Sequence, residues 1–382
     1  MKQGRTLPDL ASELERQMNA KRDFLAPADA LRVASNGHTD LILKEAFAVN
    51  EVAHSQIADY TGIPKGFYDR LRNATEELRV IQPGDLNEGI RPDIPLFDMV
   101  VNRLLESKGA DRRMVRTLDG KARAFLSDSF SVDLDNFDVF RMAARAMEEA
   151  GLCPDNVVSC EVTERRLYLK VVSPRLEAVI HPSNLAGEHG GHHFLKEPQV
   201  VLAGFILSNS ETGLGSLSIQ QVVMKLLCTN LWIKEEGVRQ RHLGKTLEAG
   251  EDGAVYRSDT RQAEARVKLL KIRDHVAAAL DETRFQALVG KMQETTEVRL
   301  EGNVEKIVEV AARKFGLDES EQESVLKNLI EGADLSLWGL TNAVTAAAQS
   351  SPSYDRATQL EAIGGRFFAL PTAEIREIVR AA

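Results

Sequence analysis

At 382 residues, of which 43% are hydrophobic and 27% charged, the chain has the composition of a globular protein and room for two or three domains. No apolar run is long enough to span a membrane, and residues 1–17 contain no apolar signal segment. The three cysteines form no paired spacing, so we expect a cytoplasmic protein from a reducing compartment. The net charge of −9 argues against a protein that coats duplex DNA through general basicity.

The charge is unevenly distributed along the chain. Residues 103–128 carry seven Lys or Arg against four Asp or Glu, and residues 225–273 carry eleven against seven. Residues 301–334 carry only four against nine. Each of the two basic stretches is either a solvated face or part of a surface that binds an anionic partner.

The N-terminal part is predicted to be mainly helical. Residues 10–24 have an amphipathic pattern, and residues 49–72 predict two short helices around Thr61-Gly62. Residues 56–71 therefore resemble a helix-turn-helix element, with Lys65, Tyr68 and Arg70 as its polar readers. The alternative is a helix pair that serves as scaffold. Residues 83–98 hold three of the twelve prolines, which predicts a boundary near residue 98.

The middle of the chain is predicted to be rich in β-structure. Residues 113–118 and 121–127 flank Asp119-Gly120, the sequence of a tight hairpin turn. Residues 138–150 predict a helix, residues 157–163 and 167–172 a second hairpin, and residues 199–208 a further strand.

A helix over residues 216–232 is predicted to cover this sheet. Ser218 and Gln221 have the spacing of a capping box. The apolar residues beside them fall at helical spacing: Ile219, Val222, Val223, Leu226 and Leu227.

The rest of the chain is predicted to be helical. Residues 258–296 form a helical segment with a break near 281–283, and its apolar residues predict a homo-oligomer. Residues 303–382 predict a smaller helical domain with Trp338 in its core and a break at Gly364-Gly365. The expected fold is α+β, with a mostly antiparallel sheet. Its parts are a helical region at 1–98, an α+β domain at 99–300 and a helical domain at 301–382.

Four separated stretches resemble the phage/plasmid-like family built on a domain of unknown function of the DUF932 type. They are GIPKGFYDRL (62–71), RTLDGKARAFLSDSF (116–130), VTERRLYLKVVSPRLE (162–177) and the stretch at 204–245. The resemblance implies a role in the DNA metabolism of mobile elements. The order of hairpins, strand and helix is also similar in topology to Rad52-like single-strand annealing proteins.

The hairpin at 113–127 contains two arginines that a two-residue turn would place side by side. With Leu118 opposite Lys121, Arg116 lies opposite Arg123 on the face that carries Lys121. Like charges in this position are unfavourable unless an anion lies nearby. The anion is either a phosphate or a carboxylate of the second hairpin, Glu161 or Glu164.

These observations predict an oligomeric protein that binds single-stranded nucleic acid and anneals strands. We expect a binding protein rather than an enzyme, and no cofactor. The residues predicted to line its groove are Arg113, Arg116, Lys121, Arg123, Lys234, Arg239, Arg241, His242 and Lys245. Phe125, Tyr168 and Trp232 are the candidates for stacking on bases.

Two alternatives remain open at this point. A metal-dependent nuclease could use Asp128 and the acidic residues of 133–138, or the histidines of 181–193. The glycine-rich sequence between those histidines offers no supporting shell, so we expect no metal there. A scaffold or regulatory protein could instead act through the acidic C-terminal domain.

Overall fold

A computed structural model describes residues 1–80, 93–130, 134–183, 195, 197–226, 229–240 and 258–380. It confirms the α+β class, because helices surround two sheets whose strand pairs are almost all antiparallel. Among the residues described, no helix is long and apolar enough to cross a membrane.

The first 130 residues form a mixed sheet and the helices that cover it. In chain order the elements are α1 (Leu7–Ala20), β1 (Arg22–Pro27), β2 (Arg32–Ser35), β3 (Thr39–Ile42), β4 (Ala46–Val49), α2 (Glu51–Thr61), α3 (Lys65–Asn73), β5 (Arg79–Val80), β6 (Ile94–Pro95), α4 (Leu96–Ser107), β7 (Arg112–Leu118) and β8 (Lys121–Ser127).

The six-stranded sheet has the order β1-β7-β8-β4-β3-β2, in which only the β4–β8 pair is parallel among the strands described. Its core contains Ile57 and Tyr68 from α2 and α3, Phe97 from α4, and Val115 and Phe125 from the hairpin. The predicted helix pair and the predicted hairpin are both confirmed. Strands from residues 22–49 and the hairpin of residues 112–127 therefore fold together.

The second part of the chain contains a sheet followed by helices. Its elements are α5 (Asn136–Glu149), β9 (Val157–Val162), β10 (Leu167–Ile180), β11 (Gln199–Asn209), β12 (Leu217–Lys225), β13 (Leu231–Gln240), α6 (Ser258–Ala279), α7 (Glu282–Thr296), α8 (Val304–Phe315), α9 (Glu319–Gly332), α10 (Leu337–Ser350), α11 (Tyr354–Arg366) and α12 (Thr372–Val379).

The five-stranded sheet has the order β13-β12-β11-β10-β9 and is buried on both faces. Side chains alternate along a strand, so Leu167 and Leu169 of β10 pack in the core that α1, α5 and α6 share. Tyr168 and Lys170 face the opposite side, where α11 packs. Helices thus cover both faces of this sheet.

The predicted helix over residues 216–232 is wrong, because this stretch forms β12 and the start of β13. Ser218 pairs with Ser208 of β11 and with Arg239 of β13. A strand buried on both faces reads as a nearly continuous apolar run, which is hard to distinguish from a helix by pattern alone. The apolar residues of β12 point to both faces, so they do not alternate with polar residues and happen to fall at helical spacing.

The C-terminal helices form their own core. Trp338 is fully buried, but it lies in a different cluster that includes residues of the five-stranded sheet, with its ring 5.0 Å from that of Trp232. The predicted break at Gly364-Gly365 is wrong, since both glycines lie within α11. A Cβ at Gly364 would lie 2.3 Å from Thr345 Cγ2. These glycines let α11 approach its neighbours closely rather than interrupt it.

Candidate functional site

The hairpin separates the four basic residues that were predicted to line one groove. Leu118 pairs with Lys121 and Thr117 with Ala122, as predicted, but a bulge then places Arg116 opposite Ala124. Lys121 is exposed at the turn. Arg113 pairs with Ser127 at the other end, six residues and roughly 20 Å along the strand. The four cations therefore do not share one continuous surface.

Arg116 is fully buried between the two sheets. Its Nε and Nη2 donate to the carboxylate of Asp23 on β1 at 2.8 and 2.7 Å. Its Nη1 donates to Asp135 Oδ1 at 2.8 Å and to the backbone oxygen of Glu211 at 2.9 Å. Four of its five N–H donors are thus used within the chain, and the fully buried side chain cannot reach an external phosphate.

Arg123 is also buried, at 3% exposure. Its Nη1 donates to Glu211 Oε1 at 2.7 Å and to Gln17 Oε1 at 3.1 Å, and its Nη2 donates to the Thr163 carbonyl at 3.3 Å. The predicted carboxylate partner Glu164 lies farther away, 3.8 Å from Nε.

Lys21 adds a third cation, which contacts Asp135 and lies 3.7 Å from Glu211. We call these residues the ion cluster: Lys21, Asp23, Arg116, Arg123, Asp135 and Glu211. Three positive charges thus oppose three negative ones. Burial alone would raise the pKa of Glu211, but Arg123, Lys21 and Arg116 together hold it below its ordinary value.

The ion cluster corrects the prediction that Arg116 and Arg123 bind phosphate. The expected compensating anion is present, but Asp23, Asp135 and Glu211 supply it from within the chain. Glu161, the other predicted partner, pairs with Arg5 at 3.2 Å.

Arg113 has a different environment, at the edge of a surface cavity of about 670 Å³. We call this cavity the Arg113 pocket. Its lining residues come from α2, from the hairpin and from the turn before β12: Gln56, Asp59, Tyr60, Arg113, Phe125, Leu126, Ser127, Phe130, Gly213, Gly215 and Ser216. Its volume is in the range of small-molecule sites.

The Arg113 guanidinium lies over aromatic rings and forms no ion pair with any residue that the structure describes. Its Cζ is 4.4 Å from the centroid of the Tyr60 ring and 5.1 Å from that of Phe125. Its Nε is buried without a hydrogen-bond partner, and Nη2 reaches the Phe125 carbonyl only at 3.5 Å. Burial lowers the pKa of Arg113, since nearby acidic groups only partly compensate for lost hydration.

Tyr60 is the half-buried aromatic residue of the pocket. Its hydroxyl donates to Asp111 Oδ2 at 2.5 Å, which fixes the ring beside Arg113. Burial and this hydrogen bond raise the pKa of Tyr60 to about 12, so its hydroxyl stays protonated at neutral pH. Lys108 Nζ lies 5.2 Å from the same ring. The ring and the two cations provide a place for a planar anion.

The turn at residues 210–216 forms the opposite wall of the pocket. Gly213 has a φ of +76°, and a Cβ there would lie 2.5 Å from Leu126 Cδ2. Gln56 Nε2 donates to the Thr212 carbonyl at 2.7 Å, while Gln56 Oε1 accepts from the Phe125 N–H at 2.7 Å. One side chain of α2 therefore connects the turn to the hairpin.

The second predicted basic segment begins on an edge strand. Lys234 is half-buried on β13, and Arg239 lies opposite Ser218, two residues beyond Ser216 of the pocket. Arg241, His242 and Lys245 lie outside the described residues.

The residues predicted to stack on bases are not available for that role. Phe125, Tyr168 and Trp232 are at most 5% exposed, because each packs in a core. Tyr68 of the helix-turn-helix candidate is also fully buried, and its hydroxyl contacts His54 Nδ1 at 2.9 Å. The helix pair packs on the six-stranded sheet, which favours its reading as scaffold.

The acidic residues proposed for a nuclease do not form a metal site in the described part of the chain. Asp135 is bonded to Lys21 and Arg116, and no group of three His, Cys, Asp or Glu side chains there could hold an ion. Three of the clustered histidines, His189, His192 and His193, lie outside the described residues.

Sequence reasoning missed Tyr60 and Gln56, which lie inside the helix-turn-helix candidate and face the pocket. It also missed Asp23 and Glu211, whose partners are 93 and 88 residues away in the chain. The only sequence signal was the predicted cross-strand pair Arg116 and Arg123, which requires an anion nearby but does not show which residue supplies it.

Comparison of the chain with family models, curated proteins and solved structures gives no match. The function must therefore be inferred from the chemistry of the site.

Proposed function

We propose that the chain binds single-stranded nucleic acid at the Arg113 pocket. The observation that carries the proposal is the Arg113 guanidinium, which lines a surface cavity, lies over Tyr60 and has no carboxylate within ion-pair distance in the described structure. On the same hairpin, both Arg116 and Arg123 have such partners.

A partly desolvated guanidinium without a counter-ion is stabilised when an anion approaches it. Arginine suits phosphate because its planar fork donates two hydrogen bonds at once. Unstacked bases in single strands stack on aromatic rings and on arginine planes, and the pocket offers both in contact. Asp59 at the rim could accept a hydrogen bond from the amino group of a base.

The surroundings of the pocket favour a strand over an isolated nucleotide. Lys108 and Arg112 add positive charge at the Arg113 end of the hairpin. Arg239 of β13 pairs with Ser218, which lies two residues beyond Ser216 of the pocket. A concave pocket can accept a base that is splayed out of a single strand. The bases of a duplex are stacked inside the duplex, so we expect the pocket to prefer single strands.

The resemblance to the phage/plasmid-like family supports the same proposal and extends it to the DNA metabolism of mobile elements. Strand annealing by a homo-oligomer is part of this proposal. Light scattering tests the oligomer directly, and a monomer independent of concentration would contradict it.

The test is a fluorescence titration of single- and double-stranded oligonucleotides at several salt concentrations. We expect Arg113→Met to weaken single-strand binding about tenfold. The salt slope should fall by about 0.7 for each phosphate contact that is lost. The matched control is Arg313→Met on α8, whose exposed side chain pairs with Glu309 at 2.7 Å. An equal loss in both variants would indicate nonspecific charge attraction and contradict a site at Arg113.

A further inference from the structure

The two walls of the Arg113 pocket are connected by the ion cluster. The hairpin supplies Arg113 and Phe125 to one wall, and the same two strands supply Arg116 and Arg123 to the cluster. The turn at residues 210–216 supplies Gly213, Gly215 and Ser216 to the other wall.

Glu211 is the point at which the turn is attached. Its carboxylate accepts from Arg123 at 2.7 Å and from the Asn136 N–H at 3.2 Å, and its backbone oxygen accepts from Arg116 at 2.9 Å. Gly213, two residues later, already lines the pocket. The position of that wall therefore depends on the hydrogen bonds of Glu211, which is buried and does not line the pocket itself.

We propose that Glu211 and Arg123 are positioning residues for ligand binding at the Arg113 pocket, although neither lines it. This inference rests on the proposed function. Through them, the buried charges set the distance between the turn and the Arg113 guanidinium, and so the width of the site.

The physical reason is the directionality of the bonds that Glu211 makes. A glutamine at this position keeps the side-chain volume but removes the charge that faces Arg123 and Lys21. The turn then retains its backbone bonds to Gln56, Arg116 and Arg166. It loses the ionic contact between the Glu211 carboxylate and Arg123. The ligand would have to order a wall that the native protein holds in place, and its affinity would decrease.

The test is the variant Glu211→Gln in the same titration with single-stranded oligonucleotides. We expect binding about threefold to tenfold weaker, with the salt slope unchanged because no phosphate contact is lost. Combined with Arg113→Met, the two effects should be non-additive, since both act on the same contact. A smaller folded fraction would also leave the slope unchanged, but it would not produce the coupling.

The matched control is Glu361→Gln. Glu361 is equally buried and bonded to a cation, Lys170 Nζ, at 2.6 Å, but it lies on α11 and lines no part of the pocket. This variant should destabilise the fold and leave the affinity as it is. If Glu211→Gln does not fold, Arg123→Lys keeps the buried charge, and we expect it to weaken binding in the same way.

The outcomes separate this inference from the proposed function. If Arg113→Met weakens binding but folded Glu211→Gln or Arg123→Lys does not, the positioning role is wrong and the pocket remains. Additive effects of Glu211→Gln and Arg113→Met would also overturn the positioning role. If Arg113→Met leaves the affinity unchanged, the proposed function itself fails at this pocket.

Discussion

Arg113 and Arg116 are three residues apart on one strand, yet their environments differ in every respect that governs function. Arg116 is fully buried and bonded to two carboxylates and a carbonyl. Arg113 is half-buried, lies over two rings and has no carboxylate partner within the described structure. The comparison shows that the role of an arginine on a strand depends on whether distant parts of the chain place acidic residues next to it.

The difference follows from where each end of the hairpin lies. The ion cluster occupies the junction at which α1, β1 and the turn at residues 210–216 meet the strands. Each of these elements contributes an acidic or amide side chain: Gln17, Asp23 and Glu211. At the Arg113 end, α2 contributes Tyr60 instead, and the nearest acid, Asp111, already accepts from the Tyr60 hydroxyl.

The strongest test of this comparison is Arg116→Met. The substitution leaves the buried Asp135 without the cation that acts on it most strongly, and uncompensated charge at such a buried position costs about 3–5 kcal/mol. Urea unfolding monitored by circular dichroism should give a loss of this size. An unchanged or increased stability would mean that the cluster is a repulsive site, as expected for a surface that binds phosphate.

A second test compares the ion cluster with an isolated buried pair. Lys170 and Glu361 have fully buried side chains, and the Lys170 ammonium also lies 4.5 Å from the centroid of the Tyr354 ring. We expect Glu361→Gln alone to cost about 3 kcal/mol, because it leaves Lys170 uncompensated. The double variant Lys170→Met/Glu361→Leu should recover most of that loss, since replacing both members of a buried pair is often neutral.

In the ion cluster, replacing both members of one ion pair should not recover the lost stability. Asp135 and Glu211 each contact two cations, so Arg123→Met/Glu211→Leu would still leave Lys21 with one acid fewer. Equal recovery in the two double variants would contradict this distinction. The measurement is the midpoint of urea unfolding for both sets of variants.

The third prediction concerns the pH dependence of stability that the buried His54 causes. Burial, and then the nearby Arg72 charge, lowers the pKa of His54 from 6.5 to about 4. The unfolded chain therefore binds a proton between these values that the folded chain does not. His54 stabilises the fold fully above pH 6.5, and we expect up to about 3 kcal/mol to be lost as the pH falls towards 4.

The variant His54→Gln should flatten this part of the stability curve, because it removes the group whose pKa burial lowers. The lowered pKa of Glu211 moves its contribution to pH values below 4.5. A slope between pH 6.5 and 4 that His54→Gln leaves intact would mean that another group causes it.

The parts of the fold that the sequence predicts correctly carry local signals. Asp119 and Gly120 adopt the positive φ values, 51° and 74°, that a tight hairpin turn requires. The helix pair ends and restarts at Gly62, which has a φ of +76°. The strand β12 was mistaken for a helix because burial on both faces removes the alternation that identifies most strands.

The candidate site could be predicted only in part, for a different physical reason. The sequence places Arg113, Arg116 and Arg123 on one hairpin and shows that an anion must accompany the last two. The bulge that displaces Arg116 from Arg123 has no sequence signature, and Glu211 is 88 residues from the arginine it neutralises. Tertiary packing alone decides which of the three arginines remains available to a ligand.

The last prediction concerns Arg113, for which the smallest effect on stability is expected. Arg113→Met keeps the apolar stem over Tyr60 and removes a guanidinium that pairs with no acid in the described structure, so unfolding should change by no more than about 0.5 kcal/mol. Single-strand affinity should nevertheless fall about tenfold, because the variant lacks both the charge and the stacking plane. The two measurements together would show that Arg116 contributes mainly to stability and Arg113 mainly to ligand affinity. A loss of stability as large as that of Arg116→Met, with affinity unchanged, would mean that both arginines are structural and that the pocket binds no nucleic acid.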